Sequence, residues 1–197
     1  MGGPAEGPRP LRDYSLEEYL AAVAARQPAP SGGAVAAVTV ASAAGLVGMA
    51  ARFAGDLAGA AELATEADGL RAAVLELGDA DAAAYAEVLA AYRVPREQSD
   101  RRDRIRAALV EAADVPLRIA EVGGRVAAAG LELARRGNPN LAGDAMTAVL
   151  LAEGATRAAA ELVRINVELG ELDPALADRA RTLIAQAAEA SNALIAD

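Results

Sequence analysis

The clearest periodicity in the chain begins at Pro139 and continues to about Gly170, with apolar and polar positions at helical spacing. Gly137 is typical of a helix end, and Asn138 followed by Pro139 is typical of a helix start. Proline lacks an N–H group, and this costs nothing in the first turn of a helix, where N–H groups have no helical partner. At about 100° per residue, one set of positions falls within about 60° of arc: Asn140, Asp144, Thr147, Leu151, Ala158, Leu162 and Ile165. This stripe is predicted to face the core, which places Asp144 in the core or in a cleft.

A second set of positions on the same helix is charged, and its members recur three or four residues apart: Glu153, Arg157, Glu161, Arg164 and Glu168. Opposite charges at this spacing pair on a helix surface, so this side is predicted to face solvent. Asp144 lies near the positive end of the helix dipole, where an acidic side chain stabilises a helix. Catalysis is one interpretation of such an acid, and stabilisation of the helix start is the more common one.

A run without charge, from Ala34 to Ala51, follows a loop rich in proline and glycine at 27–33. Small residues recur in it every four positions: Gly33, Ala37, Ala41 and Gly45. The run is therefore predicted to be a central helix, and the strip is predicted to help hold a homodimer together. Its length would allow a thin membrane span, but its Ala, Gly, Ser and Thr content favours a buried helix.

The remaining segments also follow helical spacing, and strand-like alternation is absent from the sequence. A capping box at Ser15 predicts a first helix from Leu16 to about Arg26. The pattern over 56–92 predicts a helix interrupted at 78–79, with one face formed by Leu70, Val74, Leu77 and Asp81. Pro116 is predicted to kink the next helix, and Pro174 to begin the last one.

The predicted fold class is therefore all-α, an antiparallel multi-helix up-and-down bundle with long, partly kinked helices. Residues 1–13, rich in glycine and proline, are predicted to form a flexible N-terminal tail. Residues 14–197 are predicted to form a single helical domain. The tail lacks the apolar core of a signal peptide, so a cytoplasmic location is expected.

Composition limits the chemistry that this chain can perform. Of its 197 residues 54% are hydrophobic, mostly alanine, and 3% are aromatic, which favours close helix packing. The net charge of -9 makes nucleic acid an unexpected partner. The chain has no Cys and no His, and its 19 basic residues are all Arg. Thiolate and Schiff-base chemistry are excluded, which leaves Asp, Glu, Tyr, Arg and backbone groups.

Four segments, in order, resemble the motifs of one protein family: 28–33 (PAPSGG), 91–95 (AYRVP), 111–117 (EAADVPL) and 137–166, which begins GNPNLAGD and ends VRIN. The chain resembles the C-terminal family of formiminotransferase-cyclodeaminase from about Ser15 to its end. That family comprises formiminotetrahydrofolate cyclodeaminases and related methenyltetrahydrofolate cyclohydrolases. Ser31 stands where the family usually has the first of three glycines, and 52–59 lacks the lysines that are common there.

The resemblance implies a folate-dependent one-carbon enzyme that releases ammonia from formiminotetrahydrofolate and forms 5,10-methenyltetrahydrofolate. Two alternatives remain: a methenyltetrahydrofolate cyclohydrolase, and a divergent, non-catalytic helical dimer that binds another small molecule. Both reactions need a well-placed carboxylate and neither needs a metal or a redox cofactor. A tetrahydrofolate derivative is thus expected as the substrate, with no permanently bound cofactor, no metal and no membrane partner.

The resemblance and the two helix starts together predict the site. Asp144 is the candidate acid–base residue. The candidate substrate-binding residues are Ser31, Gly32, Gly33, Asn138, Asn140, Arg164 and Asn166. Free N–H groups at a helix start suit carbonyls and carboxylates, and side-chain amides suit the edge of a pterin. One pocket is therefore predicted to join the 30–33 loop to the start of the Pro139 helix.

Overall fold

The computed structural model describes residues 9–55 and 57–194. Within these residues the chain forms helices and no strand, which confirms the predicted all-α class. Two 3₁₀ turns, Leu11–Asp13 and Pro139–Leu141, accompany six helices: α1 (Leu16–Ala24), α2 (Gly32–Arg52), α3 (Ala60–Arg93), α4 (Arg101–Arg136), α5 (Ala142–Gly170) and α6 (Pro174–Asn192). From α2 onwards each helix packs against the next along the chain, and α2 also contacts α4 and α5. This arrangement is the predicted up-and-down bundle.

Helix α2 is the centre of the bundle, and its small residues allow three neighbours to approach it. Ala34, Ala37 and Val40 are completely buried. A Cβ added at Gly78 of α3 would lie 3.0 Å from the Cβ of Ala37, so a glycine is needed where these helices meet. Gly33 and Ala37 of the predicted strip therefore pack against α3 within the chain, whereas Gly45 is half-buried and a Cβ added there would meet nothing within 4 Å. The first half of the strip is not free to hold a dimer, and the homodimer itself stays a prediction.

The same contact explains why α3 is not interrupted at 78–79. The glycine at 78 is a packing residue inside a continuous helix, and helix α3 extends from Ala60 to Arg93. Helix α2 has a mean hydropathy of 1.9, and it is long and apolar enough to cross a membrane by length and composition alone. Of its most apolar 18-residue stretch, 61% is buried in the bundle, which is typical of a core helix.

The core side of α5 differs from the predicted one. The buried residues of α5 are mostly alanine and valine and lie on another arc: Ala145, Ala148, Val149, Ala152, Ala159 and Val163. On the predicted core stripe, Leu151 is 38% exposed, Ile165 is 41% exposed and Asp144 is half-buried. An alanine-rich helix has more than one apolar side, and the smallest side chains pack where helices come closest. The charged side is exposed as predicted except at Glu153, which is half-buried and forms an ion pair with Arg157.

The N-terminal segment is partly docked. Positions 1–8 of the predicted tail, residue 56 and residues 195–197 lie outside the described part of the chain. The predicted flexible tail also includes residues 9–13, but the turn at Leu11–Asp13 packs on α3. The Leu11 N–H donates to Asp79 Oδ1 at 2.7 Å, and a Cβ added at Gly78 would clash with the Leu11 side chain.

The packing of α4 against α5 can be tested at Gly130. A Cβ there would lie 2.9 Å from Val149 Cγ2 and 3.3 Å from the Ala145 carbonyl oxygen. We expect Gly130→Ala to destabilise the fold by about 1–3 kcal/mol through overpacking, measured by urea unfolding. Gly69→Ala is the control, because a Cβ at Gly69 meets nothing within 4 Å. That variant should gain about 0.5–1 kcal/mol from the better helix propensity of alanine.

Candidate functional site

A cavity of about 320 Å³ lies where the start of α2 meets α3, α4 and α5. Its polar lining comes from Ser31, Asp81, Tyr85, Tyr92 and Asn166, and the rest of its wall is apolar or glycine. Among the described residues that line it, Asp81 is the one with an ionisable carboxyl group. The cavity therefore combines an apolar wall with one acid, two phenols and an amide.

Asp81 is held at the N-terminus of α2 by hydrogen bonds. Its side chain comes from α3 and is 8% exposed. The Ser31 hydroxyl donates to Asp81 Oδ2 at 2.8 Å, and the backbone of Ala34 favours the charged form of the same carboxyl group, which lowers its pKa. Ser31 precedes the first residue of α2 and makes no capping bond to its own helix. The Asp81 carboxyl group thus caps the N-terminus of α2, although it belongs to a different helix.

Gly33 is required beside this carboxyl group. A Cβ added at Gly33 would clash with both oxygens and the Cγ of Asp81. The second glycine of the 30–33 loop therefore acts by leaving space for an acid. The hydroxyl of Ser31, at the position where the family usually has glycine, bonds that acid directly.

Burial raises the pKa of Asp81, because desolvation disfavours the charged form, while the hydrogen bonds from Ser31 and Ala34 act in the opposite direction. Burial is the larger effect. A carboxyl group of this kind both takes up and releases a proton more readily near neutral pH than an exposed aspartate does. The site therefore contains a candidate general acid–base.

Asn166 has a structural partner at the cavity wall. Pro116, inside α4, has no N–H to donate to the Ala112 carbonyl one turn earlier. The side-chain amide of Asn166 donates to that carbonyl oxygen instead, at 2.5 Å. Pro116 therefore leaves a free carbonyl on α4, and Asn166 of α5 bonds to it. This hydrogen bond joins the two helices beside the cavity.

Tyr92 closes the cavity at the end of α3 and is held by Arg101. The Arg101 Nε donates to the Val94 carbonyl oxygen at 2.9 Å. Its guanidinium carbon lies 5.9 Å from the centre of the Tyr92 ring, a cation–π distance. Tyr85 and Tyr92 are 40% and 44% exposed, so both rings are accessible to a bound molecule.

The structure brings some predicted site residues together and separates others. Ser31, Gly32 and Asn166 line the cavity, and Gly33 supports Asp81 behind it. The Asn138 amide instead donates to the Phe53 carbonyl at 3.1 Å, at the far end of α2. Asn140 and Asp144 lie within six residues of Asn138 along the chain and therefore at the same end of α2. The 21 residues of α2 span about 30 Å, so within one chain the two predicted halves of the site are far apart.

Arg164 does not line the cavity, and Glu161 and Glu168 hold it on the solvent side of α5. Asp81 was not among the predicted site residues. It did continue the apolar stripe of Leu70, Val74 and Leu77 on α3, and a charge within such a stripe is the signal that could have identified it.

Comparison with known proteins agrees with this architecture. A sequence profile of the formiminotransferase-cyclodeaminase family matches residues 15–186. A methenyltetrahydrofolate cyclohydrolase of Methylorubrum extorquens is 32% identical over 165 residues, covering 78% of this chain and 79% of that protein. A formimidoyltransferase-cyclodeaminase of Rattus norvegicus is 33% identical over 177 residues, covering 84% of this chain but 33% of the rat protein. The chain thus spans about a third of that relative.

A solved structure shares the same fold. The crystal structure of a formiminotetrahydrofolate cyclodeaminase from Thermotoga maritima superimposes with a TM-score of 0.83 at 27% identity, covering 93% of this chain and 94% of that one. The fold and the site define a helical-bundle enzyme with a buried carboxylate beside its cavity. The chain belongs to the formiminotransferase-cyclodeaminase family.

The buried acid should cost stability in a pH-dependent way. Because the pKa of Asp81 is raised on folding, the protonated form favours the fold, and that stability is lost as pH rises through the folded-state pKa. We therefore expect Asp81→Asn to gain stability relative to the parent as pH rises, by about 1.4 kcal/mol for every pH unit over which only the folded state holds the proton. Urea unfolding from about pH 4 to about pH 8 measures this.

Asp114→Asn, which changes an exposed acid on α4, serves as the comparison. If the stability difference between the parent and Asp81→Asn were constant over the whole pH range, the Asp81 carboxyl would not titrate differently in the two states.

Proposed function

We propose that this chain is a formiminotetrahydrofolate cyclodeaminase whose acid–base residue is Asp81. The observation that carries the proposal is a buried carboxyl group with a raised pKa, which faces a mostly apolar cavity at a helix start. Family membership supports folate one-carbon chemistry. Asp144, the acid–base residue that the sequence predicts, does not line this cavity.

The cyclodeaminase reaction needs one group that can first accept and then donate a proton. N10 of the folate attacks the carbon of the protonated, cationic formimino group on N5, and N10 loses its proton as the new C–N bond forms. We propose that Asp81 accepts this proton and passes it to the nitrogen that leaves as ammonia, which gives the cationic 5,10-methenyl product. A carboxyl group with a raised pKa is suited to both transfers.

The cavity has suitable groups for the rest of such a substrate. The first turn of α2 offers backbone N–H groups that can bind a carbonyl oxygen. The rings of Tyr85 and Tyr92 are exposed for stacking against a flat heterocycle. The cavity of about 320 Å³ holds part of a folate, and the remainder would extend out of its open side.

A cyclohydrolase is the second candidate. The Methylorubrum extorquens relative, which is matched over most of its length, carries that name. In that reaction the same carboxyl group would take a proton from water as the water adds to the methenyl carbon. The cyclodeaminase reaction releases ammonia, whereas the cyclohydrolase reaction consumes water. One set of assays therefore separates the two activities.

Purified protein should be given formiminotetrahydrofolate and methenyltetrahydrofolate in parallel, with ammonia release and methenyl absorbance as the two readouts. We expect ammonia release from the first substrate, and a fall of about 10²–10⁴-fold in turnover for Asp81→Asn. Gly69→Ala should keep full activity. Ring opening of the second substrate without ammonia release from the first would establish the cyclohydrolase instead.

No turnover of either folate, with tight binding of another small molecule, would support the non-catalytic alternative. Full activity in a folded Asp81→Asn variant would remove Asp81 from the mechanism.

A further inference from the structure

Ser31 and Asp81 form a hydrogen-bonded pair between two helices at the wall of the cavity. The hydroxyl of Ser31, the residue before α2, donates to Oδ2 of Asp81 on α3 at 2.8 Å. Both residues line the cavity, but Asp81 is 8% exposed whereas Ser31 is half-buried. The serine is thus the more accessible member of the pair.

Ser31 does not act as a serine at a helix start usually does. Such a serine normally accepts a hydrogen bond from an N–H group in the first turn of its own helix. Ser15 does this at the start of α1, where it accepts from the Glu18 N–H at 3.2 Å. Ser31 makes no such bond to α2, and the single proton of its hydroxyl is donated to Asp81. The hydroxyl therefore serves the carboxyl group rather than its own helix.

Among the described residues, no charged side chain shares the cavity with Asp81. Helices α2, α4 and α5 add no titratable group to its lining, and α3 adds the phenols of Tyr85 and Tyr92. The hydroxyl of Ser31 favours the ionised form of Asp81, the backbone of Ala34 acts in the same direction, and burial opposes both. Ser31 is therefore the side chain on which the charge of this carboxyl group depends.

A second cavity, of about 240 Å³, lies beside the 27–31 loop and contains other titratable groups. Its lining includes Arg9, Tyr14 and Asp79, none of which lines the cavity of Asp81. Asp79 instead accepts the hydrogen bond from the Leu11 N–H. These groups hold the N-terminal segment on α3, and they make no hydrogen bond or ion pair with Asp81.

We propose that Ser31 is a positioning residue, which orients the Asp81 carboxyl group and sets the pH range over which that group accepts a proton from the substrate. This inference rests on the proposed function, in which Asp81 is the proton acceptor. The family usually has glycine at this position, and glycine has no hydroxyl to donate. The serine of this chain therefore keeps Asp81 ionised at a lower pH than a glycine would.

The hydrogen bond affects catalysis through the ionised form of the carboxyl group. A hydroxyl donates more strongly to a carboxylate than to a neutral acid, so the bond stabilises Asp81 in the state that accepts the proton of N10. Loss of the hydroxyl removes this stabilisation and raises the pKa of Asp81 further. The base is then protonated up to a higher pH, and the acidic limb of the pH–rate profile moves in the same direction.

Ser31→Ala removes the hydroxyl and leaves the rest of the side chain in place. We expect the acidic limb of kcat/KM against pH to move upwards by about one pH unit. Ser31→Thr retains a hydroxyl, so its acidic limb should stay at the pH of the parent, whatever the effect on the rate. Ser42→Ala is the matched control, because Ser42 is exposed on α2 and donates to the Val38 carbonyl of its own helix at 2.9 Å.

A titration of the Asp81 carboxyl group tests the same inference without activity. Protein labelled with ¹³C at its aspartate carboxyl groups is followed by NMR from about pH 3 to about pH 9, and the Asp81 signal is assigned by its absence from Asp81→Asn. We expect its midpoint to be about one pH unit higher in Ser31→Ala than in the parent. The midpoint should be unchanged in Ser42→Ala. Ser31→Gly, which introduces the residue usual in the family, should give the same shift as Ser31→Ala and replaces it if that variant does not fold.

An unchanged Asp81 midpoint and an unchanged acidic limb in a folded Ser31→Ala protein would overturn the inference, even in an active cyclodeaminase. A lower melting temperature with neither pH readout moved would also overturn it, since Ser31 would then have a structural role alone. A midpoint that moves as expected, in a protein inactive on both folates, would leave the control of Asp81 by Ser31 standing and refute the proposed function.

Discussion

The structure depends on the close approach of α2 to α3, which glycine makes possible at two levels. Gly78 lets Ala37 approach α3, and Gly33 leaves room for the Asp81 carboxyl group against the α2 backbone. Any side chain at either position would push the helices apart. Because α2 is the central helix and contacts α3, α4 and α5, its placement against α3 sets the position of the rest of the bundle. The same contact builds the cavity, since it places an acid from one helix at the start of another.

Burial of the Asp81 carboxyl group lowers the stability of the fold but suits this group to proton transfer. A buried carboxyl group is unfavourable when charged, and the hydrogen bonds from Ser31 and Ala34 offset that cost only in part, as the raised pKa of Asp81 shows. An apolar residue of similar size would stabilise this contact, yet it could not exchange a proton. Ser31 fits the same interpretation, because its hydroxyl supplies a hydrogen bond that a glycine could not.

Two of the motifs that carry the family resemblance prove to contain coupled pairs rather than separate ligand contacts. Pro116 leaves the Ala112 carbonyl without its helical donor, and Asn166 supplies one from α5. Asn138 likewise uses its amide to bond the Phe53 carbonyl, which ties the start of the Pro139 turn to the end of α2. A residue type suited to recognising a pterin is equally suited to pairing an orphaned backbone group. Only the contacts in the folded chain show which of the two it does.

Sequence by itself determined the helices, their capping and the all-α class, because helical periodicity, Pro and Gly positions and the Ser15 capping box are local properties. The motifs also identified the family, and they placed the loop that contains Ser31 and Gly32 at the site. Tertiary structure decided which side of α5 faces the core, the continuity of α3 at Gly78 and the burial of Asp81. An alanine-rich helix has several sides of nearly equal hydrophobicity, so periodicity cannot rank them. Which side is buried, and which acid loses its water, follows from the helices packed against it.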